Sequence, residues 1–351
     1  MVVAGAGMAG LCAAARAREL GVTPTVVEKG DRPGGSMLLS SGVVWRYRSL
    51  DDFRRECPNG HPRLQRLIVE RLDDALEWLE SLGAPVVEAE TGNPRTIGRR
   101  FDPRGLTEAL VGAAGDVRTG RAMGSDPKPR PEEPLVLATG GFPVRLAREL
   151  GLAIRSNAWS EGDGLAFGLA CGADTTAGMH EFYGRAMPAP PARWGEDEFV
   201  DHAQLYGRLA RVFDESGDEI AVEGDDWSEN GLVQEIGRRG GRAWFVVDRD
   251  NLAQETPYGT VADLVERARA AGATVEERDG SLAVHVVAAV THTIGGLAID
   301  ERARVLGANG APIAGLYAAG VDAGGWSTGG YASGLAAALV FGLAAAEEIA
   351  S

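Results

Sequence analysis

The chain opens Met1-Val2-Val3-Ala4-Gly5-Ala6-Gly7-Met8-Ala9-Gly10, and the next apolar run, Thr25-Val26-Val27, ends in Glu28. That order reads as a dinucleotide-binding fingerprint on a strand, helix, strand unit. Gly5 permits the tight turn out of the strand, Gly7 lets the backbone approach a pyrophosphate, and Gly10 lets the helix Leu11 to Leu20 pack closely on the sheet. The phosphates then face the positive end of the helix, beside Ala6, Met8 and Ala9. Glu28 stands where a carboxylate accepts the hydroxyls of an adenosine ribose and would repel a 2′-phosphate. FAD or NAD is implied, and NADP is disfavoured.

With 351 residues, 44% of them hydrophobic, the chain can bury one large core and a smaller satellite domain. The 35 basic side chains against 50 acidic ones leave a net charge of -15, which repels phosphate backbones and anionic lipid. Nucleic acid and membrane partners are therefore not expected. Cys12, Cys57 and Cys171 are widely separated, form no CxxC pair and imply neither a zinc site nor an iron–sulfur centre. They read as free thiols in a reducing compartment. The apolar start lacks the basic leader of a secretion signal, so the cytoplasm is the expected location. Leu335 to Ala346 is too short to cross a bilayer and reads as a buried helix.

Beyond Glu28, Gly34-Gly35-Ser36 to Ser41-Gly42 is a small-residue loop able to lie flat against a ring system, followed by the apolar Val43-Val44-Trp45. Leu64, Leu67, Ile68, Leu72, Leu76 and Leu79 recur at helical spacing, predicting a helix from Pro62 to Leu82; a second is predicted over Asp102 to Ala114. Ser125 to Pro134 is proline-rich and reads as a connection. Leu135-Val136-Leu137-Ala138-Thr139-Gly140 reads as a buried strand ending in a glycine turn, and Ser160 or Asp163 is available to cap a helix reaching Ala170. From Gly178 the texture changes to aromatic and charged, with Tyr183, Trp194, Tyr206, Trp227, Trp244 and an acidic run at Glu223 to Asp226. An inserted domain over 178–283 is expected, with a strand at Ala243 to Asp248 and a helix at Val261 to Ala271. Residues 1–177 and 284–351 would form the nucleotide domain.

Six motifs in order carry a resemblance: the opening glycines with Glu28, Leu137-Ala138-Thr139-Gly140-Gly141-Phe142, Gly162-Asp163-Gly164, Thr291-His292-Thr293-Ile294-Gly295-Gly296, Gly315 to Gly320, and Gly334 to Gly342. Together they resemble the flavoprotein family of fumarate reductases, succinate dehydrogenase flavoprotein subunits and 3-ketosteroid dehydrogenases. The resemblance implies an α/β fold, a Rossmann-like FAD-binding domain with a parallel sheet and flanking helices, carrying an inserted α+β capping domain. It selects FAD. By similarity Glu28 and Lys29 hold the ribose, Gly35, Ser36, Ser41 and Gly42 line the flavin, and Ala138, Thr139, Gly140 and Asp163 lie toward the diphosphate. Gly320 belongs to the closing turn, and Ser333, Gly334 and Leu335 form the first turn of a last helix whose positive end faces the ring.

The implied reaction is hydride exchange with a carbon–carbon bond beside a carbonyl, as a dehydrogenase or an ene reductase, on a small-molecule substrate with an unidentified electron donor or acceptor. His292 is the candidate substrate contact from its place in the His-Thr-Ile-Gly-Gly segment. The arginines and the His-Pro-Thr segment of fumarate reductases are replaced by Met187-Pro188-Ala189, the acidic stretch after Asp218, and Thr328-Gly329-Gly330-Tyr331. A dicarboxylate needs paired cationic donors, so an uncharged ketone fits better. Tyr331 and Tyr183 are the remaining candidates for a general acid or base and Arg185 for holding one carboxylate or enolate, with Ser327, Thr328 and Trp45 behind them. The alternatives are an FAD-binding protein without catalysis and an amine or alcohol oxidase. None of the chain's 5 histidines falls between Gly34 and Trp45, where relatives attach flavin covalently. Acid precipitation of the holoprotein is expected to leave all yellow colour in the supernatant; flavin retained on the washed polypeptide would contradict non-covalent binding.

Overall fold

A computed structural model describes residues 1–123, 133–221 and 226–351. Most of the proline-rich connection at Ser125 to Pro134 and of the acidic run from Glu223 lies outside the described residues. The chain divides into two compact units, one of Met1–Phe142, Asn157–Glu181 and His292–Ser351, the other of Pro143–Ser156 and Phe182–Thr291.

The first unit is built on a six-stranded sheet in the order Arg304–Leu306, Pro312–Ala318, Leu135–Leu137, Val2–Ala4, Thr25–Val27, Val117–Arg118. All neighbours are parallel except the edge strand Arg304–Leu306, which pairs antiparallel. Short strands of Val, Leu and Ala suit a sheet covered on its faces, where alternation of polar residues would place them against apolar neighbours. Val43–Tyr47 and Val86–Glu88 flank Thr96–Phe101 in a separate antiparallel sheet.

Small side chains set how the helices close on one another. The leading helix, Met8–Glu19, buries Ala9, Gly10, Leu11, Cys12, Ala13, Ala14 and Ala15. The closing helix, Gly334–Ala350, is buried from Ala336 to Ala346. At their crossing a Cβ on Gly342 would lie 2.6 Å from the Ala9 carbonyl oxygen, so only a glycine allows this backbone approach. Glu347, near the far end, accepts from Arg16 at 3.3 Å and pairs with Arg71 at 2.8 Å.

Two further predicted helices form close to their expected bounds. Pro62–Ser81 starts on proline, whose missing N–H is no loss in a first turn, and buries Leu64, Ile68, Leu72, Leu76 and Leu79. Pro103–Ala114 is capped by Asp102, which accepts from Gly105 N at 2.6 Å. The helix Asp163–Ala170 departs from expectation: its cap is Gly162 at φ 103°, and neither Ser160 nor Asp163 bonds back to its first turn. Glycine reaches the left-handed region without strain, which allows the sharp entry, and the first-turn amide of Gly164 donates instead to Thr139 Oγ1 at 3.0 Å.

The second unit centres on the strand Ser281–Thr293. Val275–Arg278 and Arg242–Val247 pair with it antiparallel, and Ala153 and Ile154 pair parallel with Ala289 and Val290. That last pairing explains why Pro143–Ser156 groups with this unit, unlike the continuous 178–283 segment expected from composition. The apolar run from Val284 is a strand of this sheet, not a return of the nucleotide domain; buried strands of either domain have the same composition. The helix Val261–Ala270 carries a capping box between Thr260 and Asp263. Met187, Ala189, Ala203, Val287 and Ala289 form a core cluster under Trp194 and Tyr258.

Replacing Gly342 with alanine should destabilise the protein by about 1–3 kcal/mol, the usual cost of overpacking, read as a lowered thermal midpoint. An unchanged midpoint would show that the two helices do not cross there so closely.

Candidate functional site

The first glycine turn is assembled by backbone crowding. Gly5 adopts φ 104°, and a Cβ there would lie 2.1 Å from the Ala138 carbonyl oxygen; a Cβ on Gly10 would lie 2.0 Å from the Gly5 oxygen. Both glycines are required by packing. Gly7 differs: a Cβ would meet none of the described residues within 4 Å. It is the N-cap of the leading helix, has no side-chain cap and is followed by no acidic residue in the first turn. A helix start with uncapped N–H groups and open space beside it is an anion site. Gly34 N donates to Ala6 O at 2.7 Å, and a Cβ on Gly35 would lie 3.2 Å from Gly7 Cα, so the small-residue loop runs alongside this opening.

Glu28 is buried at 7% exposure. One carboxylate oxygen accepts from Ala6 N and the other from Gly30 N, each at 2.7 Å. These bonds fix the side chain while each oxygen keeps a lone pair for a ribose hydroxyl. Lys29 does not stand ready for the ribose; its ammonium is held by Glu161 at 2.9 Å and Asp163 at 3.1 Å. Asp163, expected toward the diphosphate, is thereby a partner of Lys29.

Thr139 and Gly140 are held by a residue the sequence reading passed over. Asp322 is 1% exposed and accepts from Thr139 N, from Thr139 Oγ1 at 3.0 Å and from Gly140 N at 3.2 Å. Burial pushes its carboxyl up to about 6, against the backbone and side-chain donors that favour the ionised form. The signal was present: a lone carboxylate in Ala318-Ala319-Gly320-Val321-Asp322-Ala323-Gly324 has to find donors once buried. Gly320 sits at φ 67°, with a Cβ position 3.1 Å from Ala9 Cβ, and serves close packing. Gly42 similarly abuts the Phe101 carbonyl, while Ser41 accepts from Arg100 Nε at 3.1 Å and Ser36 lies in the short turn Gly35–Met37.

The entrance of the closing helix gathers the other expected residues. Ser333 caps it, accepting from Ala336 N at 3.3 Å, which leaves the first-turn amides of Gly334 and Leu335 unused by that cap. His292 lies against Gly334, with Nε2 3.1 Å from the Cβ position, and Nδ1 pairs with the Thr293 carbonyl at 3.1 Å. The carbonyl can only accept, so Nδ1 carries the proton and Nε2 is a base. Burial lowers the imidazole to about 4, keeping it neutral near pH 7. Tyr331 packs edge-on against Trp45 at 5.4 Å, and its carbonyl accepts from Tyr47 Oη at 2.5 Å. Ser327 Oγ and Thr328 Oγ1 are buried and have no hydrogen-bond partner among the described residues. Tyr183 and Arg185 belong to the second unit, where Arg185 donates to Ser228 O and lies 4.8 Å from the Tyr183 ring centroid.

Among the described residues no group of three or more His, Cys, Asp or Glu side chains is placed to hold a metal, and no helix is long and apolar enough to cross a membrane. The sequence model of a family described as an FAD binding domain matches residues 1–125 and 106–337. The chain belongs to the FAD-binding domain family. FAD is accordingly its cofactor, and the uncapped helix start, the Glu28 acceptors and the open space at Gly7 fit that group.

Relatives agree on the fold. A flavocytochrome c3 fumarate reductase superposes with a TM-score of 0.69 at 20% identity, covering 99% of this chain and 77% of that one. A 3-ketosteroid-Δ4-(5α)-dehydrogenase from Rhodococcus jostii RHA1 gives 0.71 at 17% identity, covering 100% and 96%. The NADH:fumarate oxidoreductase of Klebsiella pneumoniae (strain 342) is 30% identical over 120 residues, a match spanning 30% of this chain and 13% of that protein.

Because the folded state holds His292 neutral, its contribution to stability is complete above the ordinary value of 6.5 and is lost as pH falls through about 4. Relative to His292→Gln, the parent should lose about 2 kcal/mol between pH 7 and pH 4, discounted for the part of the ring that water reaches. Denaturant titrations at the two pH values check this; a pH-independent difference would contradict the neutral imidazole.

Proposed function

We propose that this protein is an FAD-dependent oxidoreductase that exchanges hydride with a carbon–carbon bond next to a carbonyl, as a dehydrogenase or ene reductase of a largely apolar, uncharged substrate. The observation that carries the reading is the chemistry at the entrance of the closing helix. Tyr331 and a neutral His292 belong to it, and Gly324 to Gly334 contains no lysine or arginine. A dianionic substrate would lose its hydration there without a cation from that segment to offset it, whereas a ketone needs only a hydrogen-bond donor.

FAD, when bound, supplies the two-electron chemistry. The chain's own residues do the rest. Gly7 and the first-turn amides hold the diphosphate, and Glu28 holds the ribose. Tyr331 supplies or removes the proton at the substrate carbon opposite the hydride, its ring braced by Trp45. His292 accepts a hydrogen bond at Nε2 and orients the substrate. The Ser327 and Thr328 hydroxyls are available to the activating carbonyl. Arg185 is buried inside its own unit against Tyr183 and Ser228, and we assign that pair to building the second unit rather than to the reaction.

Anaerobic photoreduction followed by a panel of enones and quinones tests the proposal, with rapid reoxidation by at least one enone expected. Peroxide formation from an amine or alcohol in air would favour an oxidase, and no reoxidation by any acceptor would favour a binding protein. Tyr331→Phe should bind FAD normally and slow substrate-dependent turnover by about 10²–10⁴-fold, the range of a lost general acid or base. Unchanged turnover would remove Tyr331 from the reaction.

A further inference from the structure

The loop beside Glu28 and Gly30 carries an exposed tryptophan. Trp159 is 46% exposed, and among the described residues it is the one aromatic of the exposed large hydrophobics, the others being Leu20, Val86, Val87, Leu150 and Leu169. It does not project at random. A Cβ on Gly30 would lie 2.9 Å from both Cδ1 and Nε1 of its indole and 3.1 Å from Glu28 Oε1. The pyrrole edge therefore rests on the backbone two residues beyond the ribose carboxylate, and much of the ring surface stays open to solvent.

The loop that holds this ring is pinned at several points within the first unit. Trp159 N donates to Asn157 Oδ1 at 3.1 Å, and Ser160 N to Asn157 O at 3.0 Å. Ser160 Oγ lies 2.6 Å from the Cβ position of Gly140, and Glu161 holds Lys29 at 2.9 Å. Opposite, Gly120 N donates to Gly30 O and Arg121 N to Glu28 O, each at 2.8 Å. The loop thus runs from the glycine turn at Gly140 to the end of the Glu28 strand. It delivers an indole beside Gly30 and the Glu28 carboxylate. An exposed tryptophan loses hydration favourably only when an apolar face covers it, and a purine is such a face.

We propose that Trp159 is the adenine platform of the FAD site, stacking on the purine while Glu28 holds the ribose, and that it sets affinity for the adenosine half of the cofactor. The proposal rests on FAD binding but not on the assigned reaction, because the base is remote from the reacting ring. The consequence for the sequence is that position 30 must be glycine, since any larger residue would displace the indole.

The test uses apoprotein with FAD and with ADP, which has the adenosine diphosphate but no flavin. Trp159→Ala should weaken both ligands by about tenfold, as loss of one base–aromatic stack does, and Trp159→Phe by less. The tryptophan emission present in the parent and absent from Trp159→Phe should be quenched by ADP. Equal ADP and FAD affinities in parent and Trp159→Ala, with that emission unchanged by ADP, would overturn the platform. A parent that binds neither FAD nor ADP would instead overturn the cofactor assignment itself.

Discussion

The structure depends on how closely backbone can approach backbone around the first glycine turn. Gly5 against Ala138, Gly10 against Gly5 and Gly342 against Ala9 are contacts in which a methyl group would overlap a carbonyl oxygen. Through them the leading helix is drawn onto the strands Val2–Ala4 and Leu135–Leu137 and the closing helix onto the leading one. The helix start at Gly7 is left uncapped within this crowded frame. Close packing elsewhere and an opening at one glycine are two results of the same geometry, and together they make an anion site.

Buried carboxylates tie that frame to the segments around it. Glu28 joins the phosphate turn to Gly30, and Asp322 joins the end of the third buried strand to the turn before the closing helix. A carboxylate with several donors can bridge loops far apart in sequence at a small net cost, since the donors would otherwise be buried unsatisfied. The closing segment uses neutral groups instead. His292 is held uncharged, Tyr331 is fixed by Trp45 and Tyr47, and the hydroxyls of Ser327 and Thr328 have no partner among the described residues. An anchored turn with an uncapped helix start suits the charged FAD.

The second unit shows how a discontinuous segment escapes composition. Ala153 and Ile154 are ordinary apolar residues, and only their parallel pairing with Ala289 and Val290 assigns them to it. Arg185 reads from sequence as a carboxylate or enolate ligand, yet its guanidinium is engaged by Ser228 and faces the Tyr183 ring. Engagement of this kind is decided by residues distant along the chain.

By itself the sequence determined the fingerprint, the helices Pro62–Ser81 and Pro103–Ala114, the buried closing helix and the family, because glycine requirements, caps and apolar periodicity act over a few residues. The tertiary structure alone decided that Lys29 pairs with Glu161 and Asp163, that Asp322 holds Thr139 and Gly140, and that Trp159 lies on Gly30. Each of these joins segments separated by a hundred residues or more, with the strand and helix register between them. A side chain's partner across such a distance is fixed by packing geometry, which no local pattern of residues encodes.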